Sequence, residues 1–147
     1  MPLTGMRTRV KICGITRPED GRAAARAGAD AIGLVFYAKS PRYVALQQAQ
    51  AICRALPPFV SVVALFVNAR REQVTEVLNA IPVDLLQFHG NEQAEQCVSF
   101  GRPYIKAIGM REGTDPLSTM EVHPEACGFL LDAWQPELYG GGGVVFD

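Results

Sequence analysis

Apolar residues along this chain fall into two alternating patterns: short continuous runs, and longer stretches in which they recur every third or fourth position. The runs are VKIC (10–13), AIGLVF (31–36), VSVVALF (60–66), LLQFH (85–89), YIKAI (104–108) and GFLLD (128–132). They are rich in Val, Ile, Leu and Phe and mostly lack polar alternation, the pattern of parallel strands covered on both faces. Between them lie RPEDGRAAARAGA (17–29), LQQAQAICRAL (46–56), ARREQVTEVLNA (69–80), NEQAEQCVSFG (91–101) and a segment over 114–122, which read as helices. Pro57, Pro58 and Pro82 stop the second and third. Six strands alternating with helices predict an α/β fold in which right-handed crossovers build one parallel sheet.

Two architectures accommodate such units, an open doubly wound sheet and a (β/α)8 barrel. An open sheet gathers function at one switch point, whereas a barrel gathers it at the carboxyl ends of many strands. Cys13, Asn68, His89 and Asp132 each stand at or just past the end of a predicted strand, and the polar loop YAKSPR follows the second. This distribution favours the barrel. The repeat is about 24 residues per unit, so eight units need a chain near the ~200-residue lower limit for barrels. The expected architecture is therefore a single domain over residues 1–147 holding six βα units of a (β/α)8 TIM barrel, with the last two units missing.

Composition narrows the function. Fourteen basic residues against fifteen acidic ones leave a formal net charge of −1, and no Lys/Arg run offers a footprint for nucleic acid or an anionic membrane. Neither partner is expected. The apolar stretch FVSVVALFV (59–67) falls well below the roughly eighteen residues that span a bilayer. The four cysteines, at 13, 53, 97 and 127, form no CxxC pair, and only His89 and His123 could join them as ligands. No metal site and no disulfide framework is indicated, and a reducing cytoplasm is the expected location.

RVKICGITRPED (9–20) is the most informative segment: a strand that ends in a cysteine, followed at once by glycine and a helix-opening turn. Read alone, Cys13 is either a small hydrophobe in a core or a thiol at the mouth of a site. Gly14 suits a sharp backbone turn and leaves room beside the sulfur. Cys53, Cys97 and Cys127 read as packing residues.

Together, KICGIT, RPEDGRAAARAGADAIGLVFYAKSPRYV, PPFVSVVALFVN, DLLQFHGNE, PYIKAI and LLDAWQPELYGGGG resemble the phosphoribosylanthranilate isomerases of tryptophan biosynthesis, in that family's order and spacing from about Arg9 onward. The resemblance implies a (β/α)8 barrel that converts N-(5'-phosphoribosyl)anthranilate to its 1-deoxyribulose isomer without metal or cofactor, on a small phosphorylated sugar-anthranilate substrate. It implies Cys13 as general base and Asp132 as general acid, Arg42 as the clamp on the anthranilate carboxylate, and His89 in the pocket lining. A thiol needs local positive potential to act as a base, and a carboxyl needs burial or a negative neighbour to hold a proton near neutrality. Lys11 stands two residues before Cys13, shares its face of the strand, and is a candidate source of that potential.

LYGGGGVVFD departs from the family pattern, because Gly142 stands where the GGTG phosphate loop carries threonine; Gly141 and Gly142 are the candidate phosphate contacts. Without the last two βα units, the expectation is weak phosphate binding, little activity from the chain by itself and self-association through open sheet edges. The alternatives are an inactive relic or a half-barrel interaction protein of the same ancestry, and an open doubly wound binding module.

Overall fold

The computed structural model describes residues 7–133, 143 and 145. Its strands are β1 (Lys11–Cys13), β2 (Ala31–Val35), β3 (Ser61–Phe66), β4 (Leu85–Phe88), β5 (Tyr104–Met110) and β6 (Gly128–Ala133). The helices between them are α1 (Pro18–Arg26), α2 (Leu46–Ala55), α3 (Arg71–Ala80), α4 (Ala94–Cys97, continued by a 3₁₀ turn over Val98–Phe100) and α5 (Pro116–Val122). All neighbouring strands pair in parallel, and the sheet order is the chain order from β1 to β6. A doubly wound sheet reverses strand order at its switch point, and this one does not. The architecture is six strands of a (β/α)8 barrel wall with its helices outside.

Local chemistry accounts for the element ends. Pro18 opens α1, where its missing N–H is not needed, with Glu19 and Asp20 in the first turn and Arg26 in the last. The largest departure from expectation is at α4, predicted over 91–101 and reduced to one turn. Asn91 and Glu92 are held in the preceding loop by their own hydrogen bonds, and the Gln93 N–H donates to Gln96 Oε1 at 2.8 Å, which starts the helix late. Gly101, at φ 64°, ends the 3₁₀ turn in the left-handed conformation.

The inner strands β2 to β5 are largely buried on both faces, which is why their sequences run apolar without alternation, whereas β1 and β6 at the edges are only partly covered. Ile32, Leu34, Val62, Ala64, Phe66, Leu86, Phe88 and Tyr104 pack outward against Ala49, Ile52, Val74 and Val77 of the helices. Phe36, Phe66, Phe88 and Tyr104 form an aromatic ladder across this layer, with centroids 5.6 to 6.3 Å apart. Inward, Val35, Leu65 and Val67 form a smaller cluster with Cys13 and Tyr37. The Lys11 ammonium on β1 donates to Gln87 Oε1 on β4, a bond across the inner face that a flat sheet could not make. The sheet is therefore curled as a barrel wall. At its two edges, outward-facing Ile12 and Leu131 are 41% and 44% exposed.

Candidate active site

Strand register determines which side chains converge. Cys13 lies opposite Gly33, Leu65 opposite Gln87, and Gly109 opposite Asp132, so these inward positions form rows across the curled sheet. The curl brings the two edge strands to one cavity of about 240 Å³, lined by Lys11 and Cys13 from β1 and by Leu130 and Asp132 from β6. Tyr37, Ser40 and Arg42 from the β2–α2 loop, Gln87 from β4 and His89 just after it complete the wall with Val35 and Leu65. Five of the residues expected from sequence, Lys11, Cys13, Arg42, His89 and Asp132, thus meet in one place. Gly141 and Gly142 lie outside the described residues.

Two glycines make room for the thiol and its neighbour, with roles that differ from the expectation. Gly14 turns the chain at φ 82°, as expected, but the space it leaves is filled by Arg42: a Cβ there would lie 2.5 Å from Arg42 Cδ and Nη1. The space beside the sulfur is left instead by Gly33, where a Cβ would lie 2.8 Å from Cys13 Sγ. The reason is register, since Gly33 is the cross-strand partner of Cys13 and Gly14 has already left the sheet. Arg42 folds back to donate from Nη1 to the Cys13 carbonyl at 2.9 Å, and its own N–H donates to Ser40 Oγ at 3.1 Å. That contact leaves further guanidinium donors for an anion.

The polar floor is a directed chain. Lys11 donates to Gln87 Oε1, Gln87 Nε2 lies 3.0 Å from His89 Nδ1, and His89 Nε2 lies 3.0 Å from Asp132 Oδ2. Burial pulls the His89 imidazole below its ordinary range, against the opposing hydrogen bond and charge of Asp132. Burial also lowers the Lys11 ammonium, the Cys13 charge opposes this, and Arg42 adds to it.

Sequence reasoning missed Gln87, which is 1% exposed; the signal was its place two residues before His89 and therefore on the same face of a strand. It also missed a tie beside the site. The Glu92 carboxylate accepts from the Asn68 N–H at 2.8 Å and the Gly90 N–H at 2.9 Å, and lies 3.4 Å from the Lys106 ammonium. Lys106 also donates to the Gly90 carbonyl at 2.6 Å. A Cβ at Gly90 would meet Asn68 Oδ1 at 2.5 Å, so the two loops touch there.

The other cysteines lie apart from this cavity. Cys97 is buried and Cys53 is half-buried, with their thiols pushed up by burial to about 12 and about 11. Cys127 is exposed rather than packed, because it precedes β6 outside the helix layer. No group of three or more His, Cys, Asp or Glu among the described residues is placed to hold a metal ion. No helix among them is long and apolar enough to cross a membrane.

The sequence model of the family described as N-(5'phosphoribosyl)anthranilate (PRA) isomerase matches residues 10–147. The N-(5'-phosphoribosyl)anthranilate isomerase of Pseudomonas paraeruginosa is 58% identical over 139 residues, covering 95% of this chain and 66% of the relative. This chain therefore spans just under two thirds of that relative's length. The crystal structure of phosphoribosyl anthranilate isomerase from Thermotoga maritima superposes with a TM-score of 0.83 at 38% identity, over 94% of this chain and 67% of that one. A phosphoribosyl anthranilate isomerase in complex with reduced 1-(o-carboxyphenylamino)-1-deoxyribulose 5-phosphate superposes with a TM-score of 0.79 at 37% identity, over 88% of this chain and 66% of that one.

Proposed function

This chain belongs to the N-(5'-phosphoribosyl)anthranilate isomerase family, and from that premise we propose that its cavity isomerises N-(5'-phosphoribosyl)anthranilate to 1-(2-carboxyphenylamino)-1-deoxyribulose 5-phosphate. The observation that carries the reading is the convergence of Cys13 and Asp132, from opposite edges of a six-stranded sheet, on one cavity. An Amadori rearrangement needs one acid and one base, and no net oxidant. Asp132 delivers a proton to the furanose ring oxygen as the C1'–O bond breaks, and the anilino nitrogen lone pair forms the C1'=N iminium. Cys13 removes the C2' proton, and that electron pair forms the C1'=C2' bond of the enolamine as the C1'=N π pair returns to nitrogen; the enolamine then takes a proton at C1' and releases its 2'-hydroxyl proton to become the 2'-ketone. Lys11 and Arg42 put two cations around Cys13, the surroundings in which a thiol works as a base. The remaining donors of Arg42 suit the anthranilate carboxylate.

The cytoplasm is the proposed location, supported by four free cysteines, one of them in the cavity. Self-association through the β1 and β6 edges is proposed on the exposure of Ile12 and Leu131, and a molar mass that rises with concentration is its expected signature. The test of the function is turnover of N-(5'-phosphoribosyl)anthranilate by the purified chain, alone and co-produced with the remaining C-terminal third of the Pseudomonas relative. The expected result is turnover in the completed assembly. Absence of turnover in both arrangements contradicts the reading.

A further inference from the structure

The hydrogen-bond chain beneath the cavity runs in one direction, and its direction is set at Lys11. An ammonium has three donors and no acceptor, so the Gln87 atom facing it must be the carbonyl oxygen. The amide nitrogen of Gln87 then faces His89 and, carrying two hydrogens, can only donate, so His89 Nδ1 must accept. A neutral imidazole that accepts at Nδ1 carries its hydrogen on Nε2, which lies 3.0 Å from Asp132 Oδ2 and donates to it. The reversed amide would set an N–H donor against the Lys11 ammonium and leave His89 with the opposite tautomer.

Resting on the reading of Asp132 as the acid, we infer that Gln87 is a positioning residue: it fixes His89 as the Nε2–H tautomer, which occupies Asp132 Oδ2 and leaves Oδ1 as the oxygen that carries the transferred proton. Gln87 is suited to this by being 1% exposed and bonded at both ends of its amide. Aspartate has two equivalent oxygens in water; a donor fixed on one of them makes the other the site of protonation and sets where the acid points.

The test is ¹⁵N NMR of the His89 ring above its titration, with Gln87→Glu as the variant. The wild-type ring is expected to show an unprotonated Nδ1 and a protonated Nε2. In Gln87→Glu the introduced carboxylate accepts from both Lys11 and His89, so a proton is expected to appear on Nδ1. Asp132 on β6 supports the added positive charge on the ring, while Lys11 on β1 and Lys106 on β5 oppose it. In the completed assembly kcat is expected to fall about 10- to 100-fold with KM nearly unchanged, because the added charge on the ring alters the field at the proton donor while the substrate contacts are kept. A wild-type Nδ1–H tautomer, or an Nδ1 that stays unprotonated in Gln87→Glu, overturns the inference. The ring signal needs no turnover, so an enzyme with the expected tautomer and no activity on N-(5'-phosphoribosyl)anthranilate counts against the proposed function and not against the geometry.

Discussion

A single absent methyl group at Gly33 separates a usable thiol from a displaced one. Alanine there would bring its Cβ within 2.8 Å of Cys13 Sγ and 3.1 Å of the Cys13 Cα, contacts that overpacking relieves only by moving the thiol or the strand. Gly33→Ala is expected to cost about 1–3 kcal/mol of stability and to lower kcat by about 10- to 100-fold. Urea denaturation and steady-state kinetics check both, and a wild-type kcat contradicts this role of Gly33. Arg42 acts on a different parameter: if its free donors hold the substrate carboxylate in ground and transition states alike, Arg42→Ala raises KM more than it lowers kcat. A pure kcat loss points to another role. The placement of Cys13 and Asp132 toward the ends of their strands and the turn at Gly14 were legible because they sit in contiguous motifs. Gly33 was not, because its importance comes from cross-strand register with Cys13, and Gln87 was marked only by its place two residues before His89, its other partner Lys11 lying 76 residues away.

At the scale of elements, strand positions were readable and helix α4 was not. Six apolar runs bounded by Gly, Pro and polar turns coincide with the six strands to within two residues at each end, because continuous burial of the inner strands on two faces leaves a direct mark in composition. The fourth helix stops short of its apparent period because Glu92 is committed to the neighbouring loop. Its carboxylate accepts two backbone N–H groups and faces the buried Lys106 ammonium, tying the β3–α3 and β4–α4 loops together. Glu92→Ala removes the acceptor for all three groups and is expected to destabilise the protein by about 3–5 kcal/mol. Lys106→Met leaves the two N–H bonds in place and is expected to cost less. Equal midpoints of urea denaturation for Glu92→Ala and the unmodified chain contradict the tie.

Over the whole molecule, the curl of the sheet joins fold and site, since it places the first and last described strands around one cavity. His89 is largely covered in that cavity and His123 is buried at the end of α5, and burial pulls each below the ordinary value of 6.5. His123 is held against Tyr104 Oη at 3.2 Å, with Lys106, Glu92 and Glu95 as its charged surroundings. Below 6.5 the unfolded chain therefore binds more protons than the folded one, so stability is full above that pH and declines as pH falls toward the lowered folded values. Tm is expected to drop between about pH 7 and pH 5, ahead of the acid loss from Asp30 and Asp20, whose carboxyls Arg7 and Arg17 hold below the usual range. The slope is expected to shrink in His123→Gln; an unchanged slope assigns the effect elsewhere.

Cys13 and Asp132 are proposed to work as one acid–base pair in that cavity. The most direct measurement is kcat for Cys13→Ala and Asp132→Asn in the completed assembly, with affinity for the reduced product analogue measured alongside. Each variant is expected to lose about 10² to 10⁴ in kcat while analogue binding stays within about tenfold. Either variant retaining kcat close to that of the unmodified assembly contradicts it.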